Sequence, residues 1–486
     1  MKYRRSFIYF VFWAILSSVA HADTSMRNVI FILSDDHRFD YMGFTGKLPW
    51  LKTPQMDRMA REGTYFDQAY VSTSLCSPSR ASILTGLYAH THTIVDNQAP
   101  NPGNLTYFPQ YLQKAGYETA FIGKWHMGDE TDEPQPGFDH WESFKGQGVY
   151  EGVSLNINGR HVRYDESVYT SDLLTEHAVE WMKSLEADQP FFLYLSHKAV
   201  HAEFKQASRH EGMYAGVNYE LPATYVQTED DSYKDLLWPE WVKEQRHSWH
   251  GVDFMYHDKG SVEDLVIDYC ETLMGVDDSI GTVMDYLESR GIADETVVIY
   301  MGDNGFSWGE HGLIDKRHFY EESAKVPLLV RCPELFKGGE TLHKLVQNID
   351  IAPTVMAIAG LEKDPSMHGK SFLPLLQGEM VKWRDKVFYE YYWEYDFPMT
   401  PTVFGVRTDR YKYIRYHGLW DRNELYDLEN DPHEMYNLIE SPEHQEIIRQ
   451  LAGEIYDWLE ASGGMQIPLK RTIKHRWGDY RHEGQY

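Results

Sequence analysis

Four short runs of apolar, β-prone residues each stop abruptly on a polar cluster, and this pattern constrains the fold more than any other feature of the chain. NVIFIL (Asn28–Leu33) stops on Ser34-Asp35-Asp36, and ETAFIG (Glu118–Gly123) on Lys124-Trp125-His126. PFFLYLS (Pro190–Ser196) stops on His197, and TVVIYM (Thr296–Met301) on Gly302-Asp303-Asn304. Runs without polar alternation are the mark of strands buried on both faces. Helical patterns lie between them. TPQMDRMAREG carries Thr53 as N-cap, Pro54 at the first helical position and Gly63 as the stop. YTSDLLTEHAVEWMKSLEA, LVIDYCETLMGVDDSIGTVMDYLESRG and IDIAPTVMAIAG repeat their apolar residues at helical spacing. Such alternation predicts an α/β fold, a doubly wound, mostly parallel sheet flanked by helices. Ligands of such sheets sit beyond the carboxyl ends of the strands. The four polar clusters are therefore expected to converge.

After about residue 380 the texture changes. KVFYEYYWEY, VFGVRTDRYKYIRYHG and NELYDL are aromatic, alternating and separated by turns, and a helical pattern follows near HQEIIRQLAGEIYDWLEASGG. This predicts a smaller C-terminal α+β subdomain, an antiparallel sheet plus a helix, over 381–486, after a main domain over 23–380. The stretch 205–260, rich in Trp, Tyr and His, reads as an insertion that shapes a cleft. Residues 1–22 combine a basic start, an apolar stretch and a closing Ala20-His21-Ala22, which is the pattern of a cleaved signal peptide. An uncleaved anchor is the alternative, but the apolar stretch is short for a span. No other segment has that character, so no membrane contact is expected after cleavage. The formal net charge is −28, and loss of residues 1–22 removes three positive charges and no acid, leaving −31. Such a surface repels phosphate backbones and argues against nucleic acid as a partner. It also repels a polyanionic substrate unless the site itself is basic or holds a metal.

Only three cysteines occur, too few for a disulfide framework. Cys270 (LVIDYCETLMG) and Cys332 (LLVRCPE) have apolar neighbours and read as buried thiols. Cys76 stands apart, in TSLCSPSRASILTG at a helix start, with Pro78 and Arg80 after it. Among the strand-end groups, Asp35, Asp36, Asp303 and Asn304 offer oxygen ligands suited to a hard cation, Ca²⁺ or Mg²⁺. Taken singly, each pair also fits a helix cap or a turn. Lys124 and His126 in GKWH, His197 and His201 in SHKAVHAEF, and Lys316 in GLIDKRHF supply cations and imidazoles. Together with a metal, such groups clamp a tetrahedral oxyanion. With 23 histidines in the chain, any single one also fits a structural role.

The pieces taken together, in their order, resemble the formylglycine-dependent (type I) sulfatases of the alkaline phosphatase superfamily. CSPSR with the helix ASILTG resembles that family's Cys-x-Pro-x-Arg segment. FILSDDHR, GKWH, FFLYLSHKAVH, MGDNG, GEHGLIDK…YEESAKVPLLV and LYDLENDPHEMYNL follow the family's order. The resemblance implies an alkaline-phosphatase-like fold and oxidation of Cys76 to Cα-formylglycine (3-oxoalanine). The modifying partner would be a formylglycine-generating or anaerobic sulfatase-maturating enzyme. A hydrated aldehyde would attack sulfur, giving a covalent sulfo-enzyme that its second hydroxyl resolves. One Ca²⁺, with Mg²⁺ as alternative, would be held by Asp35, Asp36, Asp303, Asn304 and the modified Cys76. Asp303 would take a proton from the nucleophile, and Arg80 and Lys124 would hold the hydrate. His126 would trigger sulfate release, and His201 and Lys316 would contact sulfate and protonate the leaving oxygen. The family's Pro-His-x-Pro context is absent here, where Val200 and Ala202 flank His201. His201 is preferred as the catalytic histidine for its position before Ala202-Glu203-Phe204, and His197 is then a candidate for contacting the sugar. The wording resembles bacterial polysaccharide and N-acetylglucosamine-6-sulfate sulfatases, so a sulfated glycan processed in the periplasm is expected. The competing readings are a phosphonate or phosphate monoester hydrolase of the same superfamily, and a non-catalytic glycan-binding protein.

Overall fold

In the computed structural model, which describes residues 26–127, 131–225, 232–254, 260–418 and 421–468, the apolar runs become the middle of one large sheet. Its ten strands are β1 (Val29–Ser34), β2 (Thr64–Phe66), β3 (Glu118–Lys124), β4 (His140–Phe144), β5 (Ser154–Ile157), β6 (Arg160–Arg163), β7 (Phe191–Ser196), β8 (Val297–Gly302), β9 (Leu328–Arg331) and β10 (Glu340–Leu342). Their spatial order is β10-β2-β9-β8-β1-β7-β3-β4-β5-β6. The five strands from β8 to β4 run parallel. Both margins contain antiparallel pairs, β9 with β8 and β2 on one side and β5 with β4 and β6 on the other. The sheet is thus parallel at its centre and mixed as a whole. One margin is turned by Asn158-Gly159, both in the left-handed region at φ 50° and 89°, the Asn-Gly hairpin that suits the twist of paired strands.

Strand β1 explains why the runs lack alternation. Val29, Phe31 and Leu33 enter one apolar core, while Ile30 and Ile32 enter the other. Helices cover both faces. On one side lie α1 (Pro54–Glu62), α3 (Thr170–Ser184) and α4 (Val262–Ser289). On the other lie α2 (Cys76–Thr85) and α5 (Ile351–Ile358). Helix α4 opens on a capping box between Ser261 and Asp264.

A second sheet, β11 (Lys386–Tyr391), β12 (Thr402–Thr408), β13 (Tyr411–His417) and β14 (Glu424–Asp427), is antiparallel throughout. Helix α6 (Gln445–Ser462) packs on it, with Trp458 stacked on Phe388 at 4.9 Å between ring centres. In the 205–260 stretch Trp238 and Trp241 are buried, whereas Trp249 is 55% exposed. Cys270 and Cys332 are buried free thiols. The predicted signal peptide lies outside the described residues. No helix among the described residues is long and apolar enough to cross a membrane.

Candidate active site

The ends of β1, β3 and β8 converge, and β7 joins them through Ser196, whose Oγ meets Arg80. The turn after β1 brings Asp35 and Asp36, β3 ends on Lys124 with His126 two residues on, and the segment after β8 brings Asp303 and Asn304. Helix α2 starts on Cys76, after an extended Leu75, and ends on Gly86 in the left-handed conformation at φ 69°. One helical turn separates Cys76 from Arg80, so both face the strand ends. Gly123 makes the close approach of β3 and β7 possible here, because a Cβ at that position would lie 1.8 Å from Ser196 O. Asp36 and His126 both adopt left-handed backbone, at φ 54° and 46°, an uncommon state for such residues.

The side chains interlock. Arg80 Nε and Nη2 each lie 2.9 Å from Asp303 Oδ2, and its Nη1 donates to Lys124 O and Ser196 Oγ, both at 2.7 Å. Lys124 pairs with Asp35 and donates to Gln147. Lys316 pairs with Asp36 and donates to Cys76 Sγ at 3.0 Å. Cys76 Sγ in turn lies 3.4 Å from Asp35 Oδ1. Asn304 Nδ2 donates to Asp36 Oδ1 at 2.7 Å, and Asp36 N–H to Asp303 Oδ1 at 3.0 Å. His201 Nε2 lies 3.9 Å from Asp36 Oδ2, and its Nδ1 lies 2.6 Å from Ala202 O.

One candidate is not brought here. His197 is fully buried and its Nε2 meets Ser279 Oγ of α4 at 3.0 Å. Its N–H bonds Leu33 O and prolongs the sheet, so its side chain points opposite to that of Ser196, which faces Arg80. The expectation that His197 touches the sugar is therefore corrected: it braces the helix layer.

Electrostatics tie the cluster together. Burial alone would raise Asp35, but Lys124, His201, Arg80 and Lys316 outweigh it and hold its carboxyl well below the usual range. Burial pushes Asp36 up to about 7, against Lys316, with Asp35 and Asp303 adding to the rise. Asp303 is raised by burial and by Asp35. His126 and His201 are held well below the ordinary imidazole value, by burial first and then by the lysines. Burial, with Asp35 beside it, pushes the Cys76 thiol up to about 12.

The donor set fits a divalent cation. One oxygen from each of Asp35, Asp36 and Asp303 falls within 4.8 Å of the others. Asp36 Oδ2 and Asn304 Oδ1 are buried without a hydrogen-bond partner. Bare acceptor oxygens among crowded carboxylates are what a hard cation satisfies.

A cleft of about 1620 Å³ opens beside the cluster, lined by Gln147, Tyr150, Lys198, His201 and Trp249 among others. Gln147, Tyr150 and Lys198 were not legible from the sequence. Tyr150 OH donates to His201 O at 2.5 Å, and no short motif marks that role.

Comparison with known proteins agrees with this geometry. The Sulfatase family model matches residues 27–361, and a model described as N-sulphoglucosamine sulphohydrolase, C-terminal, matches residues 309–461. An N-acetylglucosamine-6-O-sulfatase of Bacteroides thetaiotaomicron is 33% identical over 487 residues, spanning 88% of this chain and 85% of its own. The multifunctional alkaline phosphatase superfamily protein PehA of Trinickia caryophylli is 26% identical, spanning 89% and 95%. A solved structure in complex with its substrate D-glucosamine-2-N,6-O-disulfate superposes with a TM-score of 0.80 at 30% identity, covering 92% of this chain and 100% of that one.

Proposed function

The chain belongs to the sulfatase family and is a sulfuric ester hydrolase, and we propose that it removes the 6-O-sulfate of glucosamine units in a sulfated glycan. The observation that carries this reading is the cluster around Cys76, with Lys316 Nζ at 3.0 Å, Asp35 Oδ1 at 3.4 Å and bare acceptor oxygens on Asp36 and Asn304 beside it. The relatives that act on N-acetylglucosamine-6-sulfate and on glucosamine disulfate support the choice of sugar.

Asp35, Asp36, Asp303, Asn304 and position 76 are the residues that would hold one Ca²⁺, or Mg²⁺ in its place, which polarises a sulfuryl oxygen when bound. Formylglycine at position 76, made by a maturating enzyme, supplies a hydrated aldehyde as nucleophile. The chain's own groups do the rest. Arg80 fixes the Asp303 carboxylate, which stands ready to accept a proton at Oδ1 or Oδ2. Lys124 and Lys316 meet negative charge on the transferring group. Ala202 O accepts a hydrogen bond from His201 Nδ1–H, which leaves Nε2 as the atom that exchanges a proton with the leaving oxygen. His126, with Nδ1 free of a partner, is the second imidazole for proton removal. The leader pattern at residues 1–22 supports export, with the bacterial periplasm as the place of action.

PehA keeps a second reading in view, a phosphate or phosphonate monoester hydrolase. One assay separates the two. Enzyme matured in a host with the modifying system is offered an aryl sulfate, an aryl phosphate and N-acetylglucosamine-6-sulfate. Turnover of both sulfates, with a mass at position 76 matching the aldehyde, is expected. Preference for the phosphate, or full activity with an intact thiol, would overturn the reading.

A further inference from the structure

The roles assigned so far leave one buried cation unused. Lys198 follows β7 by two residues, is 5% exposed, and lines the cleft beside Gln147, Tyr150 and His201. Its Nζ donates to Ala202 O at 3.2 Å and lies 4.6 Å from the centre of the Tyr150 ring. The other site cations are each matched by an acid, Lys124 by Asp35, Lys316 by Asp36 and Arg80 by Asp303. Among the described residues no carboxylate lies within ion-pairing distance of Lys198. A buried ammonium with one neutral acceptor and a ring face is costly unless an anion joins it. Burial, and next to it Lys124, pulls its pKa down to about 8, which is the same cost seen from the proton's side.

We propose that Lys198 is a further substrate-binding residue, a third ammonium that meets a sulfo group of the substrate where the cleft enters the site. The inference rests on the sulfated-glycan reading above. The sulfo group is either the ester being cleaved or a second one on the same sugar unit. A purely structural role is the competitor, since Ala202 O also accepts from His201 Nδ1 and Lys198 could serve only to hold that loop.

The test compares wild type, Lys198→Met and Lys198→Arg, all fully matured. N-acetylglucosamine-6-sulfate and glucosamine-2-N,6-O-disulfate are assayed for kcat and KM, and inorganic sulfate binding is titrated by calorimetry. Loss of a charge-assisted hydrogen bond should raise KM about ten- to a hundredfold in the Met variant, with Arg restoring most of it. A rise for both sugars, with weaker inorganic sulfate binding, places Lys198 on the reacting group. A rise confined to the disulfate places it on the second sulfo group. Unchanged KM and sulfate binding would overturn the proposal, and so would a fall in kcat and Tm at constant KM, which marks a strut. If wild type turns over neither sugar, the glycan reading fails. The calorimetric arm then decides alone, with weaker inorganic sulfate binding in the Met variant upholding the contact and unchanged binding overturning it.

Discussion

Two buried ionic clusters of similar make-up lie in this molecule, one at the ends of the parallel strands and one beneath the four-stranded sheet. In the second, Lys412 Nζ lies 2.7 Å from Glu321 Oε1 and 2.7 Å from Glu434 Oε1, and donates to Phe319 O at 2.8 Å. The Lys412 ammonium thus sits between two carboxylates, although Glu321 Oε1 and Glu434 Oε1 make no hydrogen bond of regular geometry. Glu321 also accepts from Tyr70 OH, and Glu434 from the Glu321 N–H. Nearby, Glu424 is capped by the hydroxyls of Tyr320, Tyr416 and Tyr426. Among the described residues, Asp36 Oδ2, Asn304 Oδ1 and His126 Nδ1 in the first cluster have no hydrogen-bond partner, and Lys198 forms no ion pair with a carboxylate. Buried polar groups in a structural network close on one another. Groups that leave atoms idle in a cleft are kept for a ligand. Bare oxygens thus occur in both clusters, but those of the second lie 2.7 Å from an ammonium, whereas Asp36 Oδ2 lies 3.9 Å from His201 Nε2, and that difference in charge matching separates the two.

The largest expected effects break the comparison from both ends. Cys76→Ala should lower kcat by roughly a factor of 10⁶, as removal of a nucleophile does, with Tm unchanged. Lys412→Met should do the reverse. Removing one partner of a buried pair costs about 3–5 kcal/mol, so Tm should fall by many degrees while kcat per folded molecule holds. Turnover by the first variant, or a kcat loss in folded molecules of the second, would erase the distinction. Thermal melts and active-site-normalised kinetics on the same samples read both.

Much of this was legible before any coordinates. The parallel centre followed from strands such as β1 that feed two cores at once. Cys76 stood out because its neighbours are polar and its sister cysteines are not. The antiparallel margin at β5 and β6 is marked by Asn158-Gly159, a two-residue hairpin pattern that the expectation of a mostly parallel sheet does not contain. The choice between His197 and His201 needed a register. Ser196 faces Arg80, so the next residue must point away. Lys198 was not legible, because lacking an acid partner is a property of the fold and not of a local pattern. For the same reason the sequence could not say that Trp238 and Trp241 are core residues while Trp249 lines the cleft.

A smaller effect sharpens the contrast through the metal. If the bare oxygens of Asp36 and Asn304 are cation ligands, Ca²⁺ at a hundred times its Kd should stabilise the protein by about 2.7 kcal/mol, and a chelator should reverse this. Asp36→Ala or Asn304→Ala should abolish the Ca²⁺-dependent rise in Tm. Glu434→Gln, in the closed cluster, should lower the starting Tm but keep the rise. A Ca²⁺ response that survives in Asp36→Ala would move the cation elsewhere.

The smallest effect concerns a third buried ion pair, which ties His90 to the four-stranded sheet. His90 Nδ1 lies 2.8 Å from Glu390 Oε2 on β11, and His90 N–H donates to Glu390 Oε1 at 3.1 Å. Tyr392 OH donates to the same carboxylate at 2.8 Å. Burial alone would lower His90, but Glu390 outweighs it and raises the imidazole above its ordinary 6.5. Burial alone would raise Glu390, but His90 and its other donors hold it below the ordinary 4.5. The signs then fix the window. A raised histidine stabilises fully below 6.5, and this is lost as pH climbs through its folded value. A lowered glutamate stabilises fully above 4.5, and this is lost as pH falls through its folded value. The pair therefore contributes most between those two ordinary values. His90→Gln should show its greatest Tm deficit near pH 5.5 and a smaller one at alkaline pH, as the raised imidazole loses its proton. Among the described residues neither the His90 ring nor the Glu390 carboxylate touches a residue of the strand-end cluster, so kcat should be unchanged across the same series. A deficit equal at both pH values would mean that packing, not charge, accounts for what His90 contributes against β11.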